Sequence, residues 1–194
     1  MLFNEGRWEP HRMYRRTLEW LQTPVAPDEN IRDLSIRFRP HEVIITTLFF
    51  NGAQQEGVCG CGAWLKLDNG ERYNISWNGG PGTNNKAELL ALWSGLLVAL
   101  HLRIPCIDIY GDSQVVIGGI SGRTTLRSPH LCGWVERITH LLSQFQRTAT
   151  HHIYRELNSR ADKLSKLGLA HEFGLISVTY ISENRAETSF SFPL

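Results

Sequence analysis

The sequence has no surplus of charge of either sign. Its 20 Lys and Arg against 19 Asp and Glu leave a formal net charge of +1, so no global field draws it to nucleic acid or to a membrane surface, and any basic patch must be local. Cysteine is scarce. Cys59, Cys61, Cys106 and Cys132 contain no CxxC pair and have no His-x-His companion, which argues against a zinc site and leaves free thiols serving as small core residues. A long hydrophobic run is also missing: the longest mainly apolar stretch, Leu89 to Leu102, is broken by Ser94, Gly95 and His101 and is too short to span a bilayer. No signal-peptide pattern opens the chain. The expectation from these absences is a soluble protein of the cytoplasm or nucleus with no membrane partner.

What is present is enough for one core. A chain of 194 residues with 42% hydrophobic content can bury a full domain and carry an extension. The first 42 residues read as that extension. They hold 7 of the 20 basic residues, all Arg, with prolines at Pro10, Pro24 and Pro27. Met13, Tyr14, Leu18, Trp20 and Leu21 suit one short amphipathic helix that Pro24 and Pro27 would end. The segment is either a connection from a preceding domain or a strap on the core that follows.

From residue 43 the texture changes. Val43 to Phe50 is a β-branched and aromatic run suited to a buried strand, followed by a turn signal at Asn51-Gly52. Cys59 to Leu67 and Arg72 to Trp77 give two more strands about the hairpin signal Asp68-Asn69-Gly70. Asn84 to His101 is the clearest helix, with Ala87, Leu90, Ala91, Leu97 and Val98 on a wide apolar stripe. A strand at Cys106 to Tyr110, helices at Ser113 to Gly119 and His130 to Phe145, a strand at Thr150 to Tyr154 and a helix at Ser159 to Leu169 complete the order βββαβααβα. This is an α/β pattern: a mixed five-stranded sheet, three antiparallel strands then parallel ones, flanked by helices. Residues 171–194 read as a C-terminal tail with one candidate strand, Leu175 to Ile181, and a loosely ordered polar end.

Four compact polar residues fall where strands end or helices begin: Asn51, Glu88, Asp112 and Asp162. Open α/β sheets place their ligands at such points. Each also has a plain structural reading. Glu88 follows Asn85, and Asp162 follows Ser159, at capping-box spacing, and Asp112 is positioned to cap the short helix it opens. Singly, the capping readings are the stronger.

The same residues, however, lie inside four motifs in a fixed order: Phe49-Phe50-Asn51-Gly52-Ala53, Thr83-Asn84-Asn85-Lys86-Ala87-Glu88, Tyr110-Gly111-Asp112-Ser113-Gln114 and Asn158-Ser159-Arg160-Ala161-Asp162. Together they resemble the four signatures of the ribonuclease H family, in the form attached to reverse transcriptases in plant retroelements, over residues 43–170. The resemblance implies a ribonuclease H-like fold and endonucleolytic hydrolysis of the RNA strand of an RNA/DNA hybrid. It also implies two Mg2+ ions, with Mn2+ as a substitute, held at positions 51, 88, 112 and 162. Two hard cations about 3.5–4 Å apart can clamp a phosphate, one activating water and the other stabilising the leaving oxygen, and clustered carboxylates supply the charge they need. Residues 1–42 would then connect to a reverse transcriptase domain of the same polyprotein.

Substrate contacts implied by the match are Gly52, Thr83, Asn84, Asn85, Ser113, Arg155, Asn158 and Arg160. The Thr83-Asn84-Asn85 segment corresponds to a family element that reads the minor groove, where amides reach base edges and 2′-hydroxyls. Arg155, Arg160, Lys163 and Lys166 offer charge for phosphates, with a solvated helix face as the rival reading for the two lysines.

Three departures stand out. Asn51 occupies the first Asp position, and an uncharged amide with one oxygen cannot bridge two metals as a carboxylate does, so activity should be lost or strongly impaired. His151 and His152 run directly into Tyr154 to Asn158 with no room for the histidine-bearing loop of bacterial members, and are expected to be packed or surface histidines without catalytic role. Ser121 to Pro129, with Arg123 and Arg127, lacks the bacterial lysine-rich protrusion. Two rivals remain: an integrase-like or exonuclease-like nuclease, disfavoured by Thr83-Asn84-Asn85, and a non-catalytic hybrid-binding or structural module, favoured by Asn51.

Overall fold

The computed structural model describes residues 45–124, 128–182 and 187–193. The expected helix near Trp20, the first two residues of the expected first strand and Arg127 lie outside them. Strand β1 (Thr46–Gln55), β2 (Val58–Lys66) and β3 (Arg72–Pro81) form the antiparallel meander, and α1 (Asn84–His101) crosses to β4 (Cys106–Gly111). Helices α2 (Gln114–Ile120) and α3 (Pro129–Leu142) lead to β5 (Arg147–His152), and a 3-10 turn at Arg155–Asn158 opens α4 (Ser159–Gly168). Two further strands follow, β6 (Leu175–Ile181) and β7 (Glu187–Pro193). The seven-stranded sheet runs β5-β4-β1-β2-β3-β6-β7, with β4 parallel to β1 and β5 parallel to β4.

The mixed sheet and its flanking helices are as the sequence implied. The sheet is wider than five strands because β6 pairs with β3 and β7 pairs with β6, both antiparallel. The end of the chain is therefore not a loose tail in 187–193. The alternation Ser189-Phe190-Ser191-Phe192 is a period-2 strand pattern, concealed by a composition that looks polar.

Strand β1 also departs from expectation. Asn51-Gly52 does not turn the chain: Asn51 pairs with Gly62 and Gly52 with Cys61, and the reversal comes at Glu56-Gly57, where both residues have positive φ. Gly52 is needed for proximity instead. A Cβ there would lie 2.2 Å from the backbone nitrogen of Glu88, and a Cβ on Gly62 would lie 2.1 Å from that of Ser165. The two glycines let α1 and α4 approach the sheet beside Asn51. Local turn propensity has yielded to packing and register.

Helix α1 is buried almost all round, because it packs on β1 and β2 and is covered by α3. Leu89, Leu90, Leu92 and Leu96 are fully buried, each contributing about 1.5–3 kcal/mol of hydrophobic stabilisation. Trp93 links the layers, its ring 6.3 Å from that of Trp77 and edge-on to Trp134 at 5.7 Å. Cys59, Cys61 and Cys106 are buried free thiols and Cys132 is half-buried, as expected. Among the described residues no helix is long and apolar enough to cross a membrane.

Candidate active site

The carboxyl ends of the parallel strands and the two close helices converge on one cleft of about 570 Å³. Asn51, Glu88, Asp112 and Asp162 all line it, with Gly52, Asn84, Ser113 and Arg155. Each acidic residue had a competing role as a helix cap; at α1 and α2 another residue holds the cap, and at α4 no side chain does. Thr83 closes α1, accepting the Lys86 N–H at 3.3 Å. Ser113 closes α2, accepting the Val116 N–H at 3.3 Å. At α4, Asp162 is the acidic residue of the first turn, and its carboxylate is bound to Lys166 and Arg155. The carboxylates are thus aimed into the cleft for a reason other than capping.

Their electrostatics differ. Glu88 is 4% exposed. The Gly52 N–H bonds to its carboxylate, but Oε2 has no hydrogen-bond partner. Burial, reinforced by the negative charge of Asp112, pushes its pKa up to about 8. Asp112 is held by Asn158, whose amide donates to Oδ1 at 2.9 Å. For Asp162 partial burial opposes ionisation but is outweighed: Lys166 Nζ at 2.6 Å and Arg155 at 3.4 Å hold its carboxyl below the usual range. Asn51 Nδ2 donates to Asp162 Oδ1 at 3.2 Å and lies 3.5 Å from Ser165 Oγ.

Other expected contacts are placed elsewhere. Asn158 is 1% exposed, donating also to the Phe50 carbonyl at 2.8 Å; it is a buried strut and not a surface that a duplex can touch. Arg160 gives both Nε and Nη2 to Asn74 Oδ1, at 3.1 and 2.9 Å, and lies over the Trp64 ring. Its fork geometry is consumed inside the protein and it does not line the cleft. Thr83 and Asn85 flank the cleft without lining it, and Thr83, not Asn85, is the cap.

The sequence reading gives no site role to His152 or Tyr154 and leaves Lys166 between a phosphate contact and a solvated helix face. His152 lines the cleft, with Nε2 3.2 Å from the Asp112 carbonyl. Extending β5 to Tyr154 had put this histidine inside the strand; the strand ends at His152, on the edge where ligands bind. Lys166 lines the cleft through its ion pair, and Asp162 to Lys166 at i,i+4 spacing was the available signal. Tyr154, 76% exposed, stands on the rim.

Comparison with known proteins agrees with this geometry. A family model described as reverse transcriptase-like matches residues 49–168. The uncharacterized protein YpeP of Bacillus subtilis is 30% identical over 135 residues, 66% of this chain and 60% of that protein. Ribonuclease HI of Halobacterium salinarum is 30% identical over 124 residues, 62% of each chain. A putative ribonuclease H protein of Arabidopsis thaliana is 28% identical over 133 residues, 66% of this chain and 20% of that one. This chain therefore spans less than two thirds of the length of these relatives. The crystal structure of RNase H1 from Halobacterium salinarum superposes with a TM-score of 0.62 at 29% identity, covering 64% of this chain and 97% of that one.

Proposed function

Because this chain belongs to the reverse transcriptase-like family of ribonuclease H fold, we propose that its cleft grips an RNA/DNA hybrid and hydrolyses the RNA strand endonucleolytically, with activity strongly impaired by Asn51. The observation that carries this reading is the unpartnered, buried Oε2 of Glu88, a residue that lines the cleft together with Asp112 and Asp162. A buried carboxylate oxygen with no partner is costly unless a cation completes it.

The donor set suits a divalent cation. Mg2+ is commonly held by one or two carboxylates plus substrate phosphate, and Glu88 with Asp112 fits that pattern. Among the described residues no three of His, Cys, Asp and Glu form a ready cage, so phosphate oxygens are needed to complete the shell. Bound there, Mg2+ or Mn2+ would neutralise charge on the phosphate and lower the pKa of a water. The two-ion arrangement implied by the sequence would also need positions 51 and 162.

The remaining roles belong to side chains. Asn84, exposed on the rim, offers an amide to 2′-hydroxyls and base edges, which distinguishes the hybrid from DNA duplex. Arg155 and Ser113 meet phosphates. His152, beside Asp112, carries a proton to or from the reacting oxygens. Residues 1–42 connect to a reverse transcriptase domain in this reading.

A second reading, a non-catalytic hybrid-binding module of a retroelement polyprotein, is favoured by the Asn51–Asp162 hydrogen bond, which closes one half of the cleft without a cation. One experiment separates them. The chain is measured for binding to hybrid and to DNA duplex of equal length in Mg2+ at one salt concentration, and for slow cleavage of the RNA strand. Preference for hybrid with residual cutting abolished by Asp112→Asn supports the enzyme. Preference with no cutting supports the module. Equal affinity for both duplexes would sink both.

A further inference from the structure

The cleft is electrostatically lopsided. On the side of Asn51 and Asp162 every carboxylate oxygen is engaged: Oδ1 of Asp162 accepts from Asn51 and Arg155, and Oδ2 from Lys166. On the side of Glu88 and Asp112, Oε2 of Glu88 is unpartnered and the Asp112 carboxylate accepts from the neutral amide of Asn158. We propose that this chain binds a single divalent cation, on Glu88 and Asp112, and that Asn51 and Lys166 together take the place of a second. The inference rests on the hybrid-nuclease reading and narrows it.

The argument begins with the direction of the Asn51 amide. Ser165 Oγ donates its hydrogen to the Asp162 carbonyl at 2.8 Å and so presents a lone pair to Asn51. Asp162 Oδ1 is likewise an acceptor. A reversed amide would set its oxygen against two acceptors, so the NH2 group must face them, as it does at 3.2 and 3.5 Å. A carboxylate at position 51 would face the same two acceptors with none of those hydrogens and one more negative charge. Two carboxylates so close need a shared cation or a shared proton. The amide removes that need: it deletes one charge and supplies the bridging hydrogen.

Lys166 removes the rest. It lies one helical turn beyond Asp162 on α4, with the acid nearer the N-terminus, the favourable order for such a pair, and its ammonium is 2.6 Å from Oδ2. With Arg155 at 3.4 Å, Asp162 has two cationic neighbours against its one charge. A dication approaching there must displace an ammonium and meets no net negative field. Among the described residues no cationic side chain is hydrogen-bonded to the Glu88 or Asp112 carboxylate, and an arriving cation would give the buried Glu88 oxygen a partner. The consequence is a cleft that can anchor a scissile phosphate through one ion, yet lacks the paired clamp that stabilises both the attacking and the leaving oxygen.

The test counts ions on the full chain. Mn2+ is titrated into protein with excess RNA/DNA hybrid, free Mn2+ is read by its electron paramagnetic resonance signal, and melting curves check that each variant is folded. We expect one Mn2+ per native chain, its loss in Glu88→Gln, and two per chain in the double variant Asn51→Asp with Lys166→Ala. Two ions on the native chain would overturn the proposal while leaving the nuclease reading intact. So would one ion retained in Glu88→Gln, or one ion only in the folded double variant. No Mn2+ bound to a native chain that still holds hybrid would overturn both this proposal and the metal-dependent reading beneath it.

Discussion

Asn158 holds Asp112 in place: one amide nitrogen lies 2.9 Å from Asp112 Oδ1 and 2.8 Å from the Phe50 carbonyl. A buried side chain thereby ties the end of β4 to the strand that carries Asn51. Asn158→Ala should leave the Phe50 carbonyl without this partner and free the Asp112 carboxylate, costing about 2–3 kcal/mol. Urea unfolding measures the loss, and hybrid binding in Mg2+ should weaken with it. A variant with unchanged midpoint and affinity would show that the strut is dispensable.

Glu88 makes stability depend on pH in an unusual direction for a carboxyl. Its pKa is raised from 4.5 to about 8 in the folded chain by burial, then by the Asp112 charge. The folded state therefore keeps a proton that the unfolded state releases, and the stabilising contribution is complete below about pH 4.5 and lost as pH rises to about 8. The full span corresponds to about 5 kcal/mol. Thermal melts in chelator from pH 5 to 9 should fall steadily, and Glu88→Gln should flatten the fall. Asp162 acts oppositely, its stabilisation being lost only as pH drops below the ordinary carboxylate range. If melting temperature rises from pH 5 to 8 in both proteins, Glu88 is not the controlling group.

Arg155 and Arg160 looked alike in the sequence, and the structure separates them. Arg155 is exposed and lines the cleft, whereas Arg160 is committed to Asn74 and Trp64. Arg155→Ala should weaken hybrid binding and reduce its salt slope by about one unit. Arg160→Ala should lower stability by about 1–3 kcal/mol, through the unpaired Asn74 and the lost stacking, with the salt slope unchanged. The reverse assignment of the two slopes would refute this division.

The same pair shows what a sequence can and cannot convey. Motif order singled out four residues that the fold gathers on one cleft, and strongly periodic segments such as α1 were read nearly to the residue, because a wide apolar stripe has no competing interpretation. Features decided by distant partners were not legible. Asn51-Gly52 reads as a turn until Gly62 and Glu88 are known to lie beside it. Arg160 reads as a phosphate contact until Asn74, 86 residues away, takes its guanidinium. His152 was misplaced by a strand end set two residues too late, an error of boundary that moved it off the site. The caps went to Thr83 and Ser113 rather than to acids at equally plausible spacing, and only geometry could decide that.

Gly52 sets the distance between strand and helix. An added Cβ would meet the Glu88 nitrogen at 2.2 Å and the Ala87 carbonyl carbon at 2.5 Å, both backbone atoms that cannot rotate aside. Gly52→Ala must push α1 away from β1 and weaken the Gly52 N–H bond to Glu88. Overpacking of this kind costs about 1–3 kcal/mol, and with the disturbed site hybrid affinity in Mg2+ should fall as well. A crystal structure of the variant with α1 unmoved would contradict this.

Restoring a carboxylate at position 51 is the most direct probe of the chemistry. Asn51→Asp changes one amide to a nearly isosteric acid, so the fold should be kept, but the bridging hydrogen to Asp162 is lost and a negative charge appears 3.2 Å from Oδ1. Without metal that pair repels, and the melting temperature in chelator should drop. With Mg2+ or Mn2+ the added charge creates demand for a cation at that side of the cleft, in competition with Lys166. Cleavage of the RNA strand should therefore rise by about a hundredfold, equivalent to about 2.7 kcal/mol of barrier, and rise further when Lys166→Ala is added. Ca2+ should support binding but little cutting, because its looser coordination positions water poorly. The assay uses end-labelled hybrid, with single-stranded RNA and RNA duplex as controls, in each of the three metals. A folded Asn51→Asp chain that binds hybrid yet stays inert in Mg2+ and Mn2+ would remove position 51 from the reaction. Native activity equal to the variant's, and lost in Asp112→Asn, would mean that the Glu88 and Asp112 side suffices and that the amide at position 51 costs nothing.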